Sequence, residues 1–210
     1  MEIRVKKGGW QMKGSLIIIA FFVLGIVVGL QFSTFTLHLS HSSFIILCTL
    51  MFFVGISIGS DTKTLKSFRS VNPRLMMLPV MTVFGTLAGT AAASALLPHR
   101  HLFDCLAIGS GFGYYSLSSI FITEYKGAEL GTIALLSNIM REIITLLCAP
   151  LLVRYFGKLA PISMGGATTM DTTLPIITRT SGQDYVIVSI FHGFCVDFSV
   201  PFLVTFFCSL

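Results

Sequence analysis

Eleven residues, Gly165–Pro175, read GGATTMDTTLP inside a strongly apolar stretch of the chain. Threonine hydroxyls and open backbone groups ligate polar solutes and ions, and the carboxylate of Asp171 can carry a proton or balance a cation. An acid in a membrane-depth segment is expensive to keep there and is a functional hypothesis by default. Asp171 is the only acid between Pro161 and Thr178. With Thr168, Thr169, Thr172, Gly165 and Gly166 it forms the first group of candidate residues for binding a solute and a proton.

A second stretch with the same character is GSGFGYYSLSS, Gly109–Ser119. Three glycines among small and aromatic residues do not favour a continuous helix. A break at membrane depth leaves carbonyls and amides open, which is tolerated only where they line a cavity or are buried in protein. Gly111, Gly113, Tyr114, Tyr115 and Ser116 are therefore candidates to contact the same solute. The spacing is not a dinucleotide fingerprint, because no βαβ unit surrounds it.

Between these stretches lie Asn138, Arg141 and Glu142. Asn138 and Glu142 are one helical turn apart and share a face, whereas Arg141 points about 100° away from Glu142. Two roles fit them: a buried polar clamp between helices, or a gating or coupling charge. His192 fits a proton relay and a hydrogen-bonded structural histidine equally. His192 and Asp197 are too far out of phase to stack on one helix face. With Ser189 and Ser199 they suggest a hydrolytic triad only loosely, since no nucleophile elbow accompanies them. His99 and His101 have no third ligand in view, and the five scattered cysteines show no metal-binding spacing. The residues imply no cofactor, no metal and no enzyme chemistry.

The elements that must position these groups follow from composition. Of 210 residues, 54% are hydrophobic and 11% charged; mean hydropathy is +0.87. That profile belongs to a membrane protein embedded in lipid, and apolar runs of about 20 residues mark spanning helices rather than barrel strands. The net charge of +5 sits in short loops, where it sets topology and is no sign of nucleic-acid binding. The expected fold is all-α and polytopic. About seven membrane segments are expected, two of them interrupted, either broken or re-entrant, and meeting near the midplane. Residues 1–14 form a basic cytoplasmic tail and residues 15–210 the transmembrane domain. The loop Asp61–Arg74 carries Lys63, Lys66, Arg69 and Arg74 and belongs in the cytoplasm. If both interrupted segments cross the membrane, Arg154 and Lys158 lie outside; if both re-enter, they lie inside and Lys126 lies outside. Either path leaves the C-terminus external.

Paired interrupted helices are a sequence pointer to a transporter site. Four blocks in order, GSGFGYYSLSSIFITE, LLSNIMREIITLLCAPLL, GGATTMDTTLPIITRTSG and SIFHGF with VPFLVTFF, resemble the bacterial lysine exporter family of the LysO type. The resemblance runs through most of residues 15–210. It implies export of L-lysine and of toxic lysine analogues across the cytoplasmic membrane, coupled to protons, with Asp171 at the family's acidic position. Single-chain members are longer and carry extra N-terminal membrane helices. The resemblance therefore also implies a small, separately encoded membrane partner that supplies them. A weaker likeness, at the level of fold analogy, is to carriers with two crossing broken helices. The competing class is a non-transporting membrane scaffold or channel-like subunit whose polar motifs only pack helices.

The charge pattern makes a prediction about orientation. A cysteine appended after Leu210 should react with a membrane-impermeant maleimide on intact cells; reaction only after permeabilisation would reverse the topology.

Overall fold

The computed structural model describes residues 73–97 and 100–210, with isolated helical positions between Val23 and Ser60. The basic tail 1–14, most of the first two expected membrane segments, the loop 61–72 and His99 lie outside the described residues. The chain separates into two compact units, Met1–Gly55 and Ile56–Leu210. In the first, Val23, Leu24, Val27 and Val28, and later Ile45, Thr49, Phe52 and Phe53, are helical. All described regular structure of the second unit is helical, with no strand among the described residues.

After a one-turn helix at Pro73–Met76 come α1 (Leu78–Ser94), α2 (Leu102–Gly109), α3 (Tyr115–Lys126) and α4 (Ala128–Phe156). Then follow α5 (Ala160–Gly165), a 3₁₀ turn (Gly166–Met170), α6 (Leu174–Ser181) and α7 (Val186–Cys208). Proline in the first turn starts α1, α5 and α6, where its missing N–H is no loss. Gly127 and Gly157, both at positive φ, stop α3 and α4 in the manner of helix-ending glycines.

Helix α4 has 29 residues and a length of about 43 Å at the α-helical rise. It and the run Gln183–Cys208 are long and apolar enough to cross a bilayer. Leu136, Met140, Ile143, Leu147 and Leu151 are exposed along one side of α4, and Phe198, Phe202 and Phe206 along one side of α7. Apolar stripes at helical spacing and of this length need an apolar surrounding such as lipid chains.

The two stretches rich in glycine and threonine fold as helical hairpins. The α2–α3 pair doubles back on itself: Lys126, at the end of α3, pairs with Asp104 in the first turn of α2 at 3.5 Å. Just beyond, Arg100 pairs with Glu129. The α5–α6 pair does the same. Ser181 Oγ donates to the carbonyl of Lys158 at 2.8 Å, and Ile162, Ile177 and Val188 form a small apolar core at its base with Leu75, Leu78 and Leu159. Because α4 joins the base of one hairpin to the base of the other, the two hairpins point at each other from opposite ends of α4. The helix ends at Gly109 and resumes at Tyr115, and ends again at Gly165 before α6 begins at Leu174.

Small residues set how closely these helices pack. A Cβ added at Gly131 would lie 1.8 Å from Thr123 Oγ1 and 2.9 Å from the Ser119 carbonyl oxygen, so α3 and α4 touch through this glycine. At Gly89 a Cβ would meet nothing within 4 Å. In detergent, Gly131→Ala should lower stability by about 1–3 kcal/mol through overpacking. Gly89→Ala should raise it by up to about 1 kcal/mol through helix propensity. Thermal unfolding of the two variants side by side checks both signs.

Candidate functional site

The hairpin tips meet. The N–H of Ala167, in the 3₁₀ turn, donates to the carbonyl of Phe112 at 3.0 Å. Gly166 sits at φ +63°, and a Cβ there would fall 2.2 Å from that same carbonyl oxygen; only glycine permits both the backbone shape and the contact. Gly113 faces the opposite tip, where a Cβ would stand 3.1 Å from the Gly165 carbonyl oxygen. Phe112 itself is fully buried at φ +46°, a rare conformation for an aromatic residue.

Asn138, buried on α4, holds the first tip open. Its Oδ1 accepts the Gly113 N–H at 2.8 Å, and its Nδ2 donates to the carbonyls of Ala134 at 2.9 Å and Ile108 at 3.2 Å. The amide thus satisfies both a donor and an acceptor freed by the break. Gly111 is pressed against it: a Cβ there would lie 2.5 Å from Asn138 Nδ2 and 2.7 Å from Ser118 Oγ.

In the second tip the threonines divide into two groups. Thr168 Oγ1 donates to the Gly165 carbonyl at 2.9 Å and lies 3.2 Å from Thr173 Oγ1. Thr169 Oγ1 lies 2.8 Å from the Gly166 carbonyl and 2.9 Å from that of Ser189. Both residues are buried and tie the turn to itself and to α7. Thr172 and Asp171 are instead exposed, and Asp171 Oδ1 accepts the Thr172 N–H at 2.5 Å.

Where the tips meet there is a cavity of about 210 Å³, a volume for a small solute rather than a drug-sized ligand. Gly113, Tyr114, Tyr115 and Ser116 line it from the first hairpin, and Thr168, Asp171 and Thr172 from the second. Glu142 of α4 and Asp197 of α7 complete it. Each is the central residue of its helix. No Lys, Arg or His is found among the described residues that line this cavity.

Arg141 turns away from it, as its position beside Glu142 on a helix requires. Its Nε donates to the Met164 carbonyl at 2.8 Å and its Nη2 to the Ser163 carbonyl at 3.1 Å. The guanidinium stands over the Phe112 ring, 5.9 Å from its centroid, and lines a separate cavity with Thr86 and Ser163. The cation therefore faces the C-terminal end of α5, where the helix presents carbonyls, and shares the Phe112 side chain with the other tip. His192 is fully buried. Its Nε2 lies 2.9 Å from Thr82 Oγ1 and its Nδ1 3.2 Å from Thr169 Oγ1. The single proton of the Thr169 hydroxyl goes to one of its two carbonyl neighbours, so that hydroxyl accepts from Nδ1–H and Thr82 donates to Nε2. His192 does not line the carboxylate cavity.

The structure thus brings Asp171, Thr168, Thr172, Gly113, Tyr114, Tyr115, Ser116 and Glu142 together around one space. It places Gly111, Gly165, Gly166, Thr169 and Asn138 in the frame behind them, and Arg141 and His192 outside. Sequence reasoning missed one contributor. Asp197 was passed over because its phase relative to His192 argues against a triad. The signal that finds it is simpler, namely a lone carboxylate at the centre of an apolar helix. Thr173, one of the threonines that flank Asp171 in sequence, belongs to the frame, its N–H donating to the Thr168 carbonyl at 3.0 Å.

Two spanning-length apolar helices flank the paired hairpin tips and the carboxylate-lined cavity, as in a membrane protein. The family whose profile matches is described as lysine exporter LysO, over residues 19–208, and the chain belongs to it. It is 37% identical to the lysine exporter LysO of Escherichia coli (strain K12) over 185 residues, covering 88% of this chain and 61% of that protein. The chain thus spans about three-fifths of the length of that relative. A putative lysine exporter of Haemophilus influenzae is 34% identical over 187 residues, covering 89% of this chain and 94% of that one. No solved structure matches the chain.

The Asn138 bridge yields a direct test. Asn138→Leu leaves the Gly113 N–H buried without its partner, at a cost of about 1–3 kcal/mol, while the Ile108 carbonyl keeps the Gly111 N–H. Its thermal midpoint in detergent should fall well below that of Thr132→Val, which removes only an exposed hydroxyl bonded within its own helix.

Proposed function

We propose that this chain forms the substrate-binding core of a secondary carrier that exports L-lysine and toxic lysine analogues across the cytoplasmic membrane in exchange for protons. The observation that carries the proposal is the position of Asp171. It is exposed to a small cavity of carboxylates and hydroxyls, where two hairpin tips meet, with no fixed cation among the described lining residues. The names of the two relatives supply the substrate.

In this proposal the hairpins are re-entrant. The α2–α3 hairpin enters from the outer face and α5–α6 from the cytoplasmic face, and their tips lie near mid-depth. That arrangement puts Arg154 and Lys158 inside, Lys126 outside, and the end of α7 outside. It is supported by the charge rule and by the central position of Glu142 and Asp197 in their helices. With α1, α4, α7 and the segments before them, about seven membrane segments result.

The chemistry follows from the groups at hand. An ammonium of lysine pairs with Asp171, and Tyr114, Tyr115, Ser116 and Thr172 offer oxygens for its other hydrogens. The substrate carboxylate suits the N-terminal end of α3, whose first amides have no acceptor within the helix. Asp171 carries either a proton or the substrate ammonium, and alternation between the two couples the fluxes. Arg141, with its donors on the Ser163 and Met164 carbonyls, holds the end of α5 as a clamp. A small membrane partner is part of the proposed assembly, and lipid surrounds it.

Asp171→Asn keeps the size of the side chain and one hydrogen-bonding oxygen but removes the charge. Reconstituted in proteoliposomes with the partner co-expressed, the variant should lose pH-driven lysine efflux by at least about a hundredfold while remaining monodisperse, as expected for loss of the charge that faces the substrate cation. Near-normal efflux with an unchanged pH dependence would make Asp171 structural and the proposed coupling wrong.

A further inference from the structure

Asp197 is the centre of a helix that contains no other charged residue. It is only 7% exposed, and it lines the cavity between the hairpin tips. Among the described residues it has no hydrogen-bond or ion-pair partner. One turn before it, Gly193 lets α7 press against the second tip: a Cβ there would stand 2.7 Å from the Met170 backbone nitrogen. Residues one turn apart share a helix face, so Asp197 is held against the same tip that carries Asp171. A buried carboxylate with no partner in the protein is costly to keep charged. The cavity it faces supplies hydroxyls and two further carboxylates but no cation.

We infer that Asp197 is a second cation-binding carboxylate of this cavity, pairing one ammonium of a dibasic ligand while Asp171 pairs the other. This rests on the carrier function proposed above and adds to it the source of selectivity. One carboxylate among hydroxyls accepts any primary amine. Two carboxylates brought in by different elements, α7 and the second tip, require two amines held apart by a chain. Neutral amino acids then leave one buried carboxylate without its counter-charge, and the site rejects them for the same reason that any site rejects a ligand lacking a hydrogen-bonding group the site was built to meet. Glu142, half-buried on α4, lines the same cavity.

Binding measurements on the full chain, co-expressed with its membrane partner and placed in lipid nanodiscs, test this with three ligands. L-lysine has both amines. Nε-acetyl-L-lysine keeps only the α-ammonium, and 6-aminohexanoate only the distal one. Wild type should prefer lysine over both analogues by about tenfold or more, as a lost charge-assisted contact implies. Asp197→Asn should lose its preference over one analogue and keep it over the other, and Asp171→Asn should show the reverse pattern. Asp197→Ser provides a second removal of the charge if the asparagine variant does not elute as a folded species. If both Asp197 variants retain both preferences, or lose affinity for all three ligands equally, Asp197 is not a selectivity residue, while lysine binding by wild type would still support the carrier. If wild type binds no lysine, the carrier proposal fails and this inference fails with it.

Discussion

The contact between the Ala167 N–H and the Phe112 carbonyl is the constraint on which the rest of the described unit depends. It joins two stretches of backbone that have left the helix, each of which brings unpaired amides and carbonyls into an apolar interior. Neither tip satisfies itself. The first needs Asn138 for its Gly113 amide, and the second needs Arg141 for the Ser163 and Met164 carbonyls. Both partners come from α4, the helix that separates the hairpin bases. One long helix therefore supplies the polar groups for both breaks and sets the distance between the hairpins. The tips close on each other only because Gly166 leaves room for the Phe112 oxygen.

Much of this was legible in the residue types. The two break positions follow from glycine and threonine content in apolar surroundings, and Asp171 follows from the cost of an intramembrane acid. The opposed directions of Arg141 and Glu142 follow from helix geometry and are what the structure has, with one group in each of two cavities. The doubling back of each interrupted stretch was not legible. A stretch that crosses and one that returns have the same composition; the difference lies in which ends meet. Those meetings, Lys126 with Asp104 and Ser181 with the Lys158 carbonyl, join residues with no periodic relation in sequence. A partly exposed ion pair such as Lys126–Asp104 contributes little stability, so it reports the hairpin shape more than it creates it. The lone carboxylate of Asp197 is visible in the sequence, but the turn it faces lies in another element, and nothing local marks that turn as its neighbour.

The roles of His192 and the buried threonines show how polarity in an apolar interior can be structural. His192 joins Thr82 of α1 to Thr169 of the second tip through its two ring nitrogens, and Thr169 also reaches the Ser189 carbonyl of α7. Three elements meet at one imidazole with each polar atom satisfied. Such a network fixes one arrangement of the elements, because any displacement strands a buried donor or acceptor. The exposed pair, Asp171 and Thr172, is the contrast, since its remaining lone pairs face the cavity rather than the protein. A frame that is satisfied and a rim that is not are what a binding site in an apolar interior requires.

Charge balance connects the frame to the proposed cycle. Arg141 and the cavity carboxylates lie near the same meeting point, and an ion pair between them would have closed the site permanently. The sequence prevents it by adjacency: Arg141 and Glu142 are consecutive on α4, so the helix sends one into the carboxylate cavity and the other away. The arginine is then occupied by carbonyls and by the Phe112 ring, which keeps its charge on the frame. The cavity is left with three carboxylates and no internal cation among its described lining residues. In the proposed cycle a substrate cation is the counter-charge that these carboxylates lack among the described lining residues, and the moving parts of the carrier need only change which side the site faces.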